Sequence, residues 1–212
     1  MKKVLFTILC VAGFSFVSSA QFKMSLGPVV GMNYNFYHGS AISNSNMSYN
    51  GIGVSIGGQA DMSFTPVIGM LISLTAYDML STSGSITQQG TKSVQDISLG
   101  YLMVSPALKF MVPNTGLGFF VGPGIGFKLT GKSEQYQISG GQRTQTAASS
   151  DLLNVNPRVA GQIGMSYDFD LKGIYLSPYF IYDHGFTDVT EGGEWKASGV
   201  KVGLTCKFSV VK

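Results

Sequence analysis

Few residues in this chain have side chains suited to chemistry. His38 and Ser40 form a His-x-Ser string, a base beside a nucleophile, which is the minimal pairing of an acyl-transfer enzyme. Such a pair works only when a carboxylate orients the imidazole. None is evident near His38, which sits among Gly39, Asn44 and Ser45 in a stretch of loop composition. His184, next to Asp183, reads as a rim residue held by hydrogen bonds. Glu191 and Glu194 offer calcium two carboxylates, where the ion takes about six or more oxygens. No Cys/His cluster has metal-ligand spacing. The Gly-x-Gly strings lie inside alternating segments and do not precede a helix, so they mark close packing and not a phosphate loop. The expectation is a protein without catalytic, cofactor-binding or metal-binding residues, and not an enzyme.

The remaining chemistry is electrostatic. Asp61, Lys109, Lys128, Arg158, Asp168, Lys201 and Lys207 all fall in the polar register of segments that alternate polar and apolar. If those polar faces look inward, the ions must pair, because an isolated buried charge is too costly to keep. The pattern predicts an internal polar network in which Asp61, Asp168 and Asp183 partner Lys109, Lys128, Arg158, Lys201 and Lys207. The alternative for Lys207 and Asp168 is a place at the rims, in water.

The elements that would position these residues are strands. Period-two alternation predicts eight: Lys23–Phe36, Ile52–Phe64, Val67–Tyr77, Ser93–Val112, Leu117–Leu129, Asn154–Phe169, Ile174–Tyr182 and Ser198–Val210. The fourth shifts phase near Tyr101, as at a bulge. Connections alternate in length. Thr65-Pro66, Pro113–Gly116 and Asp170–Gly173 are short and turn-forming, whereas 37–51, 79–93, 131–152 and 186–197 are long and polar.

Composition decides what such a sheet faces. Charged residues are 12% of the chain, against roughly 25% in soluble domains. There are 28 glycines, and aromatics make up 12%. A soluble barrel would crowd its outer polar face with Lys and Glu, but here the polar faces carry mainly Gly, Ser, Thr, Asn and Gln. Small residues with a few ions of both signs suit the narrow lumen of an eight-stranded barrel, and the apolar faces then meet lipid. Phe64, Phe110, Phe169 and Phe208 near the short turns, with Tyr34, Phe36, Tyr77, Phe127 and Tyr182 toward the long loops, fit two aromatic girdles.

Residues 1–20 read as a cleavable signal peptide: Lys2 and Lys3, an apolar core from Val4 to Val17, then Ser18-Ser19-Ala20 before Gln21. That core is short of the ~20 residues a spanning helix needs. Residues 21–212 would then be one barrel domain, with 12 basic against 11 acidic residues and no basic stripe, which argues against nucleic-acid binding. Cys10 falls in the leader, leaving Cys206 as the one mature cysteine and no internal disulfide. The predicted fold is all-β: an eight-stranded antiparallel up-and-down transmembrane β-barrel preceded by a cleavable signal peptide.

One stretch carries a resemblance. Tyr101-Leu102, Pro106, Leu108-Lys109-Phe110 and Gly122-Pro123, within residues 98–132, resemble the PorT-like outer-membrane β-barrel family of Bacteroidetes-type bacteria. Tyr179–Thr187 looks like that family's penultimate strand, with another residue at its usual Arg. The string from Lys201 to Phe208 is similar to the signal read by the barrel-assembly machinery, departing at Cys206 and in the four residues after Phe208. The resemblance implies a barrel and an integral outer-membrane location, while the alternating connection lengths and the even strand number place the long loops outside and both termini on the periplasmic side. The partners expected are outer-membrane lipid, the barrel-assembly machinery during insertion, and an envelope protein of unknown identity. The functions left in competition are surface interaction, envelope integrity or assembly of a secretion machine; a small pore; and, third, a lipid-modifying enzyme using His38.

Overall fold

The computed structural model describes residues 22–40, 48–88, 91–152, 154–191 and 193–211. The expected leader with its Gln21 cleavage point, and Asn44 and Ser45 of the first connection, lie outside the described residues.

The strands are β1 (Lys23–His38), β2 (Asn50–Ser63), β3 (Ile68–Gln88), β4 (Thr91–Met111), β5 (Leu117–Ser139), β6 (Gln142–Asp151), β7 (Arg158–Tyr167), β8 (Phe169–Asp170), β9 (Ile174–Gly185) and β10 (Lys196–Val211). Eight of them pair antiparallel in the order β1-β2-β3-β4-β5-β7-β9-β10, and β10 returns to β1 over thirteen residue pairs from Met24↔Val211 to His38↔Lys196. The sheet is thus a closed eight-stranded up-and-down barrel. Closure matters because it leaves no edge of unpaired backbone groups, which a hydrocarbon environment would not tolerate.

Alternation builds the wall. Along β1 the even residues face out and the odd residues in: Val30 and Met32 are half exposed, while Asn33 and Asn35 are fully buried. The same split recurs in Ile52, Val54 and Ile56, in Phe119, Val121, Ile125 and Phe127, and in Val202, Leu204 and Phe208, all exposed. Large apolar side chains over the whole circumference form a surface no soluble monomer carries. They are the lipid face of a transmembrane barrel.

The long connections differ from expectation. Residues 79–88 and 91–93, read as loop, extend β3 and β4 as a hairpin whose pairing continues to Gln88↔Thr91. Residues 131–151 likewise form the upper part of β5 and β6. That hairpin closes on Gly140 and Gly141, both at positive φ (60° and 80°), as a two-residue type I′ turn requires. β7 begins at Arg158, not Asn154, and Asp168 interrupts it before the two-residue β8. The phase break near Tyr101 belongs to β5: Gly100 pairs with Thr130 and Tyr101 with Lys128, so the extra residue is Leu129. β4 keeps its phase there, with Leu99, Tyr101, Met103, Ser105, Ala107 and Lys109 all buried in alternation.

Candidate functional site

The lumen is built in layers. Nearest the short turns, Asp61 from β2, Lys109 from β4, Lys207 from β10 and Asp168 beyond β7 form a closed ring of alternating charge. Lys109 Nζ lies 2.6 Å from Asp61 Oδ2 and 3.2 Å from Asp168 Oδ2. Lys207 Nζ lies 2.6 Å from the same Asp61 oxygen and 2.8 Å from Asp168 Oδ1. Ser177 donates a further bond to Asp168 Oδ1 at 2.6 Å. Two cations and two carboxylates cancel. Each ammonium spends two donors on carboxylates, which is how buried ions become tolerable. The glycine opposite matters here: a Cβ on Gly118 would stand 2.6 Å from Lys109 Cε, so the lysine stem lies where a side chain would otherwise be.

Above this ring sits a thin apolar layer of Leu71, Ala107 and Phe120, against which Ile181 packs, with a cavity of about 40 Å³. The second polar layer follows. Arg158 makes a bidentate pair with Asp183 and donates to the Ala197 carbonyl at 2.9 Å. Gln162 Nε2 donates to Asp183 Oδ2 at 2.8 Å. Lys201 Nζ reaches Asp78 Oδ2 at 2.6 Å and Asp183 Oδ2 at 3.6 Å, and Asn33 Nδ2 donates to Asp78 Oδ1 at 2.7 Å. Charge cancels again, two against two.

Over that layer lies an apolar cap. Tyr37, Tyr49, Leu80, Ile97, Leu99, Tyr101 and Met103 from the wall meet Val189, Leu152, Val155 and Trp195 from the connections. The Trp195 ring stands 4.6 Å from Tyr37, and its Nε1 donates to Thr190 Oγ1 at 3.0 Å. A bridge between Val155 and Thr190, and bonds from Asn156 N to Val189 O and Val189 N to Trp195 O, tie the two connections together across the mouth. The opposite mouth is open: a vestibule of about 540 Å³ lined by Lys23, Asp61, Lys109, Asp168 and Tyr175 leads down to the first ionic ring.

Of the eight residues the sequence marked for the network, Asp61, Lys109, Asp168 and Lys207 meet in one layer, and Arg158, Asp183 and Lys201 in the other. The structure does not bring these into one cluster. Lys128 departs from the expected partners: its ammonium donates to the Leu152 carbonyl, pinning the connection under the cap. Lys207 is buried, its side chain 2% exposed, whereas Asp168 lines the open vestibule with 23% of its side chain exposed. Asp78 was missed. It lies just past a bulge where Ala76 and Tyr77 stand opposite Leu102 alone, so the alternation of β3 flips and turns Asp78 inward. The break in alternation after Leu74 was the available signal.

The His-x-Ser pair does not assemble. Ser40 Oγ donates to Glu194 Oε2 at 2.6 Å. The His38 ring instead stacks on His184, with centroids 5.1 Å apart, and no carboxylate bond orients it among the described residues. Among the described residues no three His, Cys, Asp or Glu side chains converge closely enough to hold a metal ion.

Residues 19–191 match the family model described as outer membrane protein beta-barrel domain. No curated protein matches the chain. Solved structures similar to it include Ail, the attachment invasion locus protein of Yersinia pestis, in complex with the heparin analogue sucrose octasulfate. That pair shares 10% identity over 88% of this chain and 99% of Ail, with a TM-score of 0.42. OprG from Pseudomonas aeruginosa shares 7% over 91% and 98%, with a TM-score of 0.44. Neisserial surface protein A shares 12% over 89% and 98%, with a TM-score of 0.39. With the closed ring, the lipid-facing wall and a match over most of its length, this chain belongs to the outer membrane protein beta-barrel domain family.

Proposed function

We propose that the mature chain, residues 21–212 after loss of a leader at 1–20, is a non-enzymatic, non-conducting barrel of the PorT-like kind that works through its loop end. Its role would be surface interaction, envelope integrity or assembly of a secretion machine. The single observation carrying this reading is the filled lumen. Two charge-neutral layers and an apolar cap lie in series between the mouths, and an ion crossing them would have to displace buried pairs and then enter an apolar layer. What remains available to a partner is the superstructure at the loop end, the β3–β4 and β5–β6 hairpins with the connections that cover the cap. In this reading the short turns and both termini face the periplasm and the hairpins face outward, following the length asymmetry of outer-membrane barrels. Lipid surrounds the wall, the assembly machinery inserts it, and an envelope protein engages the hairpins.

Planar-bilayer recording tests it. The expected result is no unit conductance from the refolded protein. Stable single-channel steps would replace this reading with a small pore. Deleting residues 134–147, which shortens the β5–β6 hairpin, should leave heat-dependent gel mobility intact while abolishing recovery of any envelope partner cross-linked in whole cells. An unchanged set of cross-linked partners would count against the loop end as the working surface.

A further inference from the structure

We propose that the outer wall at the loop end carries a binding site for a lipid headgroup bearing both a phosphate and an ammonium, of the phosphoethanolamine kind. The inference rests on the lipid-facing wall and adds a ligand to it.

The residues come from three adjacent strands. His38 ends β1 and pairs directly with Lys196, which begins β10, while His184 lies on β9. Their inward-pointing neighbours Tyr37, Asp183 and Ala197 are buried in the lumen, so His38, His184 and Lys196 point outward. His38 and His184 stack, Phe186 meets His184 edge-on at 5.4 Å, and Phe36 lies 6.4 Å from His38. Phe36 and Tyr182, two residues nearer the short turns than His38 and His184, are the rings on the bilayer side, while Phe186 lies on the loop side of His184. The basic groups thus sit within an aromatic belt at the top of the wall, where acyl chains give way to headgroups.

The polar groups make this more than a girdle. A pocket of about 470 Å³ is lined by His38, His184 and Lys196 together with Ser40, Asp188 and Glu194. Lys196 has no carboxylate within 4.0 Å among the described residues, although two carboxylates line the same pocket. Cations and carboxylates that share a pocket without pairing match a ligand that carries both signs. The phosphate would take Lys196 and the histidines, and the ammonium would take Glu194 and Asp188.

Glu194 is held where it is at a cost. Its φ is +45°, a left-handed conformation unfavourable for a side-chain-bearing residue. Ser40 fixes its carboxylate. Gly39, at φ +136°, allows the approach, since a Cβ there would collide with the Glu194 carbonyl. His38, His184 and Lys196 bring three basic groups to one pocket, and a bound phosphate would supply the opposing charge. The charged or titratable groups around His38 are His184 from β9, Lys196 from β10, and Asp188 and Glu194 from the last connection.

The test uses the refolded full-length mature protein in maltoside detergent. Equal amounts of phosphatidylethanolamine, phosphatidylcholine and phosphatidylglycerol with identical chains are supplied, and native mass spectrometry reads the lipid retained. The expectation is roughly tenfold more phosphatidylethanolamine than either of the others. Lys196→Gln and Glu194→Gln should each remove that preference, and lowering the pH from 7.5 to about 5.5, through the histidine range, should raise retention. Equal retention of the three lipids, or a preference for another, overturns the proposal without any variant. So does a phosphatidylethanolamine preference that survives both substitutions. Failure here leaves the wall untouched. Only a protein that stays folded and monomeric without detergent would remove the lipid face itself.

Discussion

The two ionic layers of the lumen hold the same inventory, two carboxylates and two cations each, yet they sit in different surroundings. The layer near the short turns opens onto the vestibule, and Asp168 at its edge keeps 23% of its side chain exposed. The layer toward the loops is closed beneath the aromatic cap, with Asp78 and Asp183 both at 0%. Composition therefore does not set the worth of a charge in this barrel; access to water does. An ion that loses its partner in the lower layer can recruit water from the vestibule. In the upper layer it has nowhere to turn, and the desolvation cost falls wholly on the fold.

The largest consequence is expected at Asp183. Asp183→Ala strips Arg158 of its bidentate partner and leaves Arg158, Lys201 and Asp78 with one carboxylate between two buried cations. A loss of about 3–5 kcal/mol follows for breaking a buried pair from one side. Urea unfolding in micelles, followed by tryptophan fluorescence, measures it, since the chain's single tryptophan, Trp195, lies in the cap directly above. Removing both charges with Arg158→Met and Asp183→Leu should recover most of the loss. If the double variant is as unstable as the single one, unpaired charge is not the cause.

The contrast between layers presupposes that the wall separates both from lipid, and adjacent residues of β10 test that. Leu204 is exposed on the wall, while Thr205 is buried and donates to Gln59 Oε1 at 2.8 Å. Leu204→Arg should weaken insertion by about 2–4 kcal/mol near the bilayer midplane. Thr205→Arg should instead fail by overpacking the lumen, so thinner bilayers should rescue the first and not the second. Equal rescue of both would contradict the facing.

Asp168→Ala, in the wetter layer, should cost less than Asp183→Ala, on the order of 1 kcal/mol. Lys109 and Lys207 keep Asp61, and the vestibule hydrates what is left. The cost should shrink further in molar salt, because the vestibule admits counterions. A penalty equal to that at Asp183, with no salt dependence, would erase the distinction between the layers.

Much of this arrangement was legible because a barrel wall writes itself into sequence at period two. Val30-Gly31-Met32-Asn33 or Gly203-Leu204-Thr205 declares its two faces without any partner in view. Legibility stopped where the physics behind the pattern stopped. Beyond the bilayer, the described side chains of β6 are all exposed, so nothing selects an apolar face there, and its Ser, Thr and Gln read as loop. The upper β3–β4 hairpin keeps an inward face of Leu80, Val94, Ile97 and Leu99, but its outward Ser and Thr meet water and not lipid, so the alternation weakens. Asp78 was hidden because one extra residue in β3 reverses the phase, and the sequence does not say on which of two strands a bulge falls. The cap was hidden for another reason. Leu152, Val155, Val189 and Trp195 are scattered apolar residues in polar connections, brought together only by closure of the ring.

The smallest predicted effect lies at the loop-end rim, outside both layers. The His38 and His184 rings stack with centroids 5.1 Å apart, and His38 pairs with Lys196 across the strands. Acidification through the histidine range adds positive charge to this cluster in the folded barrel, whereas the unfolded chain keeps the same groups apart. In detergent without phospholipid, the wild-type barrel should melt a little lower at pH 5.5 than at 7.5, within the histidine titration range. His38→Gln should reduce that difference. Carboxylates of the lumen also titrate on acidification, so the informative quantity is the slope of the wild type minus that of His38→Gln. A zero difference would mean that the stacked pair at the rim stores no protonation energy, and that the contrast between buried and hydrated charge ends at the lumen.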